Sequence, residues 1–429
     1  MNPLIILVPQ EAAARIRSSG PWGMVTFKVS DAENAGYVYQ ISSGPTTALL
    51  PVGIKPGRIH FLHAGDIRHG GLWYRVDPEL HGVWYACRRS NTSLTLNGFK
   101  STITSGFKNP GESGYITITY APGVAERFPN VDVPDLVAWY VSNEGVTPLD
   151  TECEPPVYGN AQLIPHWPLK DLTPTTIVLV GLGSIGGAAA HALASYGVGR
   201  LILVDPDRLR WSNLVRHVSG PSHVGRLKGS ALRADLELLR PETEVISYPV
   251  DAVVNAHLIR PLLARADLVV CTADGVAPRR VISHLARRAR IDAILACVLE
   301  DGGLGELLRL RPWKDHGCLV CQRQALRSVG GIDPEPAIDA GYGTGTLHRP
   351  MTAVGGDLHL VGQLAAKAAV ATILERHGWA DQKLPGEHAI FSLRPQPDWA
   401  PPFNLNRAGN IRWRPAAPPV VGCPTCEEP

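Results

Sequence analysis

A chain of 429 residues is two to three domains' worth, which excludes the peptide-hormone and disulfide-miniprotein classes. Lys+Arg 41 against Asp+Glu 39 leaves a formal charge of +2, and no long run of one sign occurs, so neither a nucleic-acid coat nor a polybasic membrane binder is expected. Hydrophobic content of 45% with charged content of 19% is globular, and unbroken apolar stretches such as 177–180 are too short to cross a bilayer. The expectation is a soluble, cytoplasmic chain with no nucleic-acid or membrane partner. Residues 1–9 carry no basic n-region and no small-residue cleavage site, and read as a first strand rather than a signal peptide.

Taken in chain order, residues 1–150 are rich in Gly, Thr, Tyr and Trp and show short runs at 82–87 and 115–120 that read as strands between turns. This predicts a smaller β-rich domain, a partner-recognition or pseudo-dimer module. A Pro/Gly-rich stretch, 151–171, reads as a linker. From there strand and helix alternate. Strands are expected at 176–180, 201–204, near 245 and at 267–270, with helices after Gly186, over 228–240, near 258 and over 277–290. Purely apolar strands alternating with helices predict a parallel sheet covered on both faces. Two further strands, 293–299 and 306–310, joined through Asp301-Gly302-Gly303, would extend it antiparallel. A Gly-rich segment over 329–351 leads to one long apolar helix, 353–375. The Pro-rich tail ends in Cys423-x-x-Cys426, matching an earlier Cys318-x-x-Cys321.

Gly181-Leu182-Gly183-Ser184-Ile185-Gly186 follows directly on a buried strand and opens a helix. The glycines allow a tight turn and close backbone approach to a phosphate, and the helix start supplies positive dipole charge. Asp205, about 20 residues on at the end of the next strand, would accept hydrogen bonds from a ribose hydroxyl. This much describes a Rossmann-like nucleotide site and fits an NAD enzyme equally well.

The next segment, Asp205-Pro206-Asp207-Arg208-Leu209-Arg210-Trp211-Ser212-Asn213-Leu214-Val215-Arg216-His217, resembles the Asp-x-Asp-x-Val-x-x-Ser-Asn-Leu-x-Arg-Gln signature of the ThiF/MoeB/HesA family, ATP-dependent adenylating enzymes related to ubiquitin-activating enzyme. Val224-Gly225-Arg226-Leu227-Lys228 resembles that family's Val-Gly-x-x-Lys step, Cys271-Thr272-Ala273-Asp274 its Cys-Thr-Asp-Asn segment, and the two Cys-x-x-Cys pairs its zinc site. The resemblance covers 172–426 and makes 172–429 the adenylation domain. It implies ATP and Mg2+, with Gly181, Gly183, Gly186, Asp205, Asn213, Arg216, Lys228 and Asp274 binding nucleotide and Arg216, Lys228 and Asp274 serving catalysis. Such a site neutralises phosphate charge while a carboxylate attacks the α-phosphate and pyrophosphate leaves. A carboxylate such as Asp274 suits a hard cation. If not functional, Arg216 and Lys228 would be surface charges and Asp274 a helix cap.

Two departures stand out: Gly275 replaces the family's Asn, and His217 its Gln. The Arg-Tyr-x-Arg-Gln run by which members reach the γ-phosphate from a partner subunit has no match before Thr175. Cys318, Cys321, Cys423 and Cys426 supply four thiolates, enough for a closed, structural Zn2+, with pairwise disulfides as the rival. Residues 322–351, where many members carry a thioester-forming cysteine, contain none. A thioester would then need Cys87, Cys153, Cys271 or Cys297. Cys271 and Cys297 are expected in buried strands and Cys153 in the unconstrained linker. The expectation is an enzyme that stops at the acyl-adenylate or hands it to the cysteine of a separate conjugating enzyme.

Histidines 60, 63, 69 and 81 with Asp66 lack the spacing of a metalloprotease and read as strand-edge and turn residues. The leading function implied by the resemblance is adenylation of the C-terminal carboxylate of a small ubiquitin-like or sulfur-carrier protein, by a homodimer, in a bacterial conjugation or antiviral defence pathway. The alternatives are adenylation of a peptide or tRNA-nucleoside carboxylate, an NAD oxidoreductase, and a non-catalytic nucleotide-binding scaffold.

Overall fold

Along residues 22–30, Val25, Phe27 and Val29 turn inward while Met24, Thr26 and Lys28 stay half-exposed, the period-two pattern that makes a strand. The computed structural model describes residues 4–53, 67–155, 159–299, 302–328, 353–396 and 398–427. It divides into two compact units, Met1–Tyr158 and Gly159–Pro429.

In the first unit, β1 (Ile5–Val8), β2 (Trp22–Ser30), β3 (Ala35–Ile41), β4 (Leu50–Pro51), β5 (Ile67–Arg75), β6 (Tyr115–Tyr120), β7 (Leu136–Ser142) and β8 (Gly145–Cys153) form one sheet in the order β1-β8-β7-β6-β5-β2-β3-β4. Strand β1 pairs with both β8 and β3, so the sheet closes on itself and leaves few exposed edges. One apolar cluster joins Phe27, Trp73 and Ile118 to α1 (Gln10–Arg17). A second, on the other sheet face, joins Tyr74 and Trp139 to α2 (Pro78–Ser90) and α3 (Leu96–Ser101). A one-turn helix, α4, spans Val124–Arg127.

Three sequence expectations need correction here. Residues 82–87 are not a strand but the middle of α2, where Pro78 opens the helix and Leu80, His81 and Trp84 recur at helical spacing on its buried face. His81 therefore lies in a helix, not at a strand edge or turn, and His69 lies within β5; His60, His63 and Asp66 fall outside the described residues. Strand β8 also runs to Cys153, opposite Val8, so the first residues of the expected linker belong to the sheet. The end of that stretch belongs to the second unit: the buried Asn160 donates to the Ala194 carbonyl at 2.7 Å and Trp167 to that of Tyr196 at 2.8 Å.

The second unit opens with α5 (Leu169–Leu172) and then alternates: β9 (Thr176–Val180), α6 (Ser184–Tyr196), β10 (Arg200–Val204), α7 (Lys228–Leu239), β11 (Glu244–Tyr248), α8 (Ala256–Leu263), β12 (Leu268–Cys271), α9 (Val276–Ala289), β13 (Asp292–Leu299) and β14 (Leu304–Leu310). After these come α10 (Leu319–Ser328), α11 (Gly355–Arg376), β15 (His388–Ser392) and β16 (Ile411–Arg414). The sheet order is β11-β10-β9-β12-β13-β14-β15-β16, parallel through β13 and antiparallel beyond. Apolar clusters cover both faces, α6, α7 and α11 on one side and α8, α9 and α10 on the other. Among the described residues α11 is the one helix long and apolar enough to cross a membrane, yet its Ala365, Ala366, Ala369 and Val370 are fully buried in this core. A Cβ on Gly362 would collide with the Ile185 carbonyl, so small residues bring α11 close against the start of α6.

Candidate functional site

The glycine turn sits where β9 ends, at the carboxyl edge of the parallel strands, the edge at which open α/β sheets bind ligands. Its glycines do three different jobs. Gly181 has φ +86 and abuts the backbone of Ala273, Gly183 caps α6 with open space where a side chain would stand, and a Cβ on Gly186 would strike the Gly181 carbonyl. The helix begins at Ser184 rather than after Gly186, so Gly186 lies inside its first turn. No side chain caps α6, which leaves its first N–H groups facing the open side of Gly183.

The turn is braced on every side. Thr272 Oγ1 donates to the Gly181 carbonyl at 2.6 Å, the Leu182 N–H donates to Asp205 Oδ2 at 2.7 Å, and the Leu182 carbonyl accepts from His217 Nε2 at 2.9 Å. Asp205 Oδ1 accepts the Asp207 N–H at 2.8 Å. Burial pushes the Asp205 carboxyl up, against the opposing pull of Lys228 and of its two backbone donors. Asp205 thus braces the glycine turn with both carboxylate oxygens.

Lys228, at the start of α7, donates Nζ to Asp207 Oδ2 at 2.8 Å and is only 12% exposed, so it is not a solvated surface charge. Asn213 Oδ1 accepts the Arg210 N–H at 3.0 Å and closes the short turn Trp211–Asn213. Arg216 is half-buried, and its carbonyl accepts from His359 Nε2 of α11 at 2.8 Å. Asp274 is exposed and stands one residue outside α9, whose cap is Gly275. Gly275 has φ +88 and ψ 165, a conformation open almost only to glycine, which accounts for the departure from Asn. An open groove of about 790 Å³ follows residues 206–212 beside this site, with Trp211 71% exposed on its wall.

Of the residues singled out in the sequence, Asp205 bonds the turn of Gly181, Gly183 and Gly186 directly, Lys228 joins it through Asp207, and Asn213, Arg216 and Asp274 stand on segments that His217 and Thr272 bond to it. Sequence reasoning missed the bracing roles of Thr272, His217 and His359. The first two lie inside the quoted motifs, and His359 was legible only as a histidine in an apolar helix. Chemically, uncapped N–H groups with Lys228 and Arg216 suit phosphates, and Asp274 offers a carboxylate for a hard cation.

Far along the sheet, Cys318, Cys321, Cys423 and Cys426 bring their sulfurs within 4.8 Å of one another. The neighbouring Sγ–Sγ distances are 3.8, 3.6 and 3.7 Å. A disulfide would need about 2.05 Å, whereas sulfurs about 2.3 Å from a tetrahedral zinc ion stand about 3.8 Å apart. All four cysteines are free thiols and fit a closed Zn2+ site with no open position. Backbone N–H groups of Cys318 and Val420 point at Cys426 and Cys321 sulfurs, and the Gln322 amide clasps Ala417, so the tail is held even beside the cluster.

The other cysteines divide. Cys271 is fully buried and its thiol is pushed up to about 11 by burial. Cys153 is not in a loose linker but ends β8, where burial pushes its thiol up to about 12. Cys297, expected buried, is half-buried and accepts from Arg279 Nη1 at 2.9 Å. Residues 329–351, the expected Gly-rich segment, lie outside the described residues.

A profile described as ThiF family matches residues 158–393. The sulfur carrier protein ThiS adenylyltransferase of Escherichia coli (strain K12) is 29% identical over 153 residues, 35% of this chain and 59% of that protein. The SAMP-activating enzyme E1 of Haloferax volcanii is 33% identical over 133 residues, 31% of this chain and 48% of that protein. The chain thus spans about half the length of the curated relatives it matches. Among solved structures, that of E. coli MccB has a TM-score of 0.46 at 18% identity, covering 61% of this chain and 67% of the other.

Proposed function

The chain belongs to the ThiF family, and from that premise we propose that it uses ATP to adenylate the C-terminal carboxylate of a small ubiquitin-like or sulfur-carrier protein, releasing pyrophosphate. The observation that carries the reading is the glycine turn braced by Asp205, His217 and Thr272, with Lys228 paired to Asp207 beside it. In this reading the N–H groups at the start of α6 and the Arg216 and Lys228 cations neutralise phosphate charge, and Asp205 orients the ribose. Asp274 would hold Mg2+, which supplies further charge neutralisation at the phosphates when bound. The four-cysteine cluster would hold Zn2+ as a structural clamp on the tail. The relatives named as activating a sulfur carrier or SAMP support the choice of a carrier carboxylate.

The chain's own cysteines favour ending at the acyl-adenylate or passing it to a separate conjugating enzyme, since Cys153 and Cys271 are held as neutral thiols. The test is intact mass of a small carrier protein incubated with the full chain, ATP and magnesium. Gain of an adenylyl mass that vanishes with Asp274→Ala is expected. Pyrophosphate release triggered by a peptide or nucleoside carboxylate while carriers stay unmodified would shift the substrate class. No pyrophosphate with any carboxylate would leave a nucleotide-binding scaffold.

A further inference from the structure

His217 follows Arg216 in the chain and is 8% exposed. Its ring nitrogens face partners of opposite kind. Nε2 lies 2.9 Å from the Leu182 carbonyl, which can only accept, and Nδ1 lies 3.1 Å from the Ser219 backbone N–H, which can only donate. One state satisfies both: a neutral ring with its proton on Nε2. A proton added at Nδ1 would set two N–H groups head to head, and burial already lowers the basicity of this ring.

The surroundings are mixed in charge. Lys228 and Asp235 face the ring from α7 and His359 from α11, while Asp205 grips the other side of the Leu182 peptide. Asp235 accepts from Ser219 Oγ at 2.7 Å and from His223 Nε2 at 2.9 Å, and Arg226 donates to His223 Nδ1 at 3.1 Å. The Ser219 segment, which supplies the donor to Nδ1, is thus itself anchored and cannot easily turn away. The Leu182 peptide is clamped at its N–H by Asp205 and at its carbonyl by His217, one residue before the uncapped start of α6.

We propose that His217 is a positioning residue for the nucleotide, holding the Leu182 peptide so that the N–H groups at the start of α6 converge on a phosphate, and that its protonation loosens the turn and weakens nucleotide binding in acid. The inference rests on the nucleotide reading above. The glutamine that the family signature carries at this place supplies an N–H donor but does not titrate, so the acid sensitivity belongs to the histidine.

The test is equilibrium binding of ATP with magnesium, together with KM and kcat for pyrophosphate release, on the full chain at pH 8 and pH 5. The variants are His217→Gln, whose amide nitrogen reaches where Nε2 stands, and His217→Asn, which can replace only Nδ1. At pH 8 the Gln variant keeps wild-type affinity within about twofold, and the Asn variant binds about tenfold more weakly, with KM rising and kcat little changed, the size of one lost buried hydrogen bond. Because burial lowers the basicity of this ring, wild-type affinity holds through the ordinary imidazole value of 6.5 and falls, by about tenfold once the ring is protonated, only at more acid pH, while the Gln variant stays flat. Thermal melts alongside establish that each variant is folded. An Asn variant that behaves as wild type while Gln fails, or an equal acid loss in wild type and Gln, overturns the positioning role. ATP affinity indifferent to Lys228→Ala would overturn the nucleotide reading itself and this inference with it.

Discussion

Each unit of the molecule buries a histidine with both ring nitrogens engaged, and the two are put to opposite ends. In the first unit His81 is fully buried: Nδ1 donates to the Pro134 carbonyl at 2.7 Å and Nε2 accepts from Thr119 Oγ1 at 2.9 Å, which in turn accepts from Trp139 Nε1 at 3.0 Å. That chain starts and ends inside the sheet-and-helix core. In the second unit His217 ends on a loop carbonyl at the open edge of a parallel sheet. A closed sheet uses its buried polar groups to finish a core, and an open parallel sheet uses them to hold a loop whose backbone donors still point outward.

The contrast is broken most severely at the cysteine cluster, where the second unit closes four sulfurs on one another. Cys318→Ser, or prolonged chelation, should remove one equivalent of zinc and destabilise the second unit by several kcal/mol, read by metal analysis and denaturant melts. An unchanged melt after metal loss would refute the clamp.

His81 sharpens the comparison from the other side. Burial holds its imidazole at about 4, against 6.5 when unfolded, so the unfolded chain takes up a proton first as the pH falls. The stability it contributes is whole above pH 6.5 and is lost between there and about 4, up to about 3 kcal/mol. Unfolding followed by the fluorescence of the first unit's tryptophans should show this slope in wild type and a shallower one in His81→Gln.

At the open edge, Lys228→Ala should lower pyrophosphate release about a hundredfold or more, some 2.7 kcal/mol, with the fold intact by circular dichroism. Gly275→Asn, restoring the residue of the family signature, should cost about 1–2 kcal/mol of stability because φ +88 with ψ 165 strains any side chain, measurable as a shifted denaturant midpoint. Smallest of all, Cys153→Ala should leave pyrophosphate release unchanged. A lost covalent adduct in that variant would instead make this half-buried thiol an acyl acceptor.

Much of the second unit was legible because its information is local. The runs 176–180 and 228–240 became β9 and α7 within a residue, since apolar strand runs and helical periodicity are written in neighbouring residues. The first unit was less legible. Residues 82–87 alternate well enough for a strand, but Pro78 and the burial of Leu80, His81 and Trp84 against the sheet made them a helix, a case of tertiary packing overriding a short pattern.

For the site, the order and spacing of the motifs pointed to Asp205 beside the glycine turn and to two cysteine pairs that meet. What only the tertiary structure decided is what holds them. Thr272 reaches Gly181 across 91 residues, His217 reaches Leu182 across 35, and His359 reaches Arg216 across 143. A hydrogen bond between such distant residues depends on the register of parallel strands and the approach of α11 to α6, which no local pattern encodes, whereas the need for glycine in a tight turn or for paired thiolates at a metal is a property of the residues themselves.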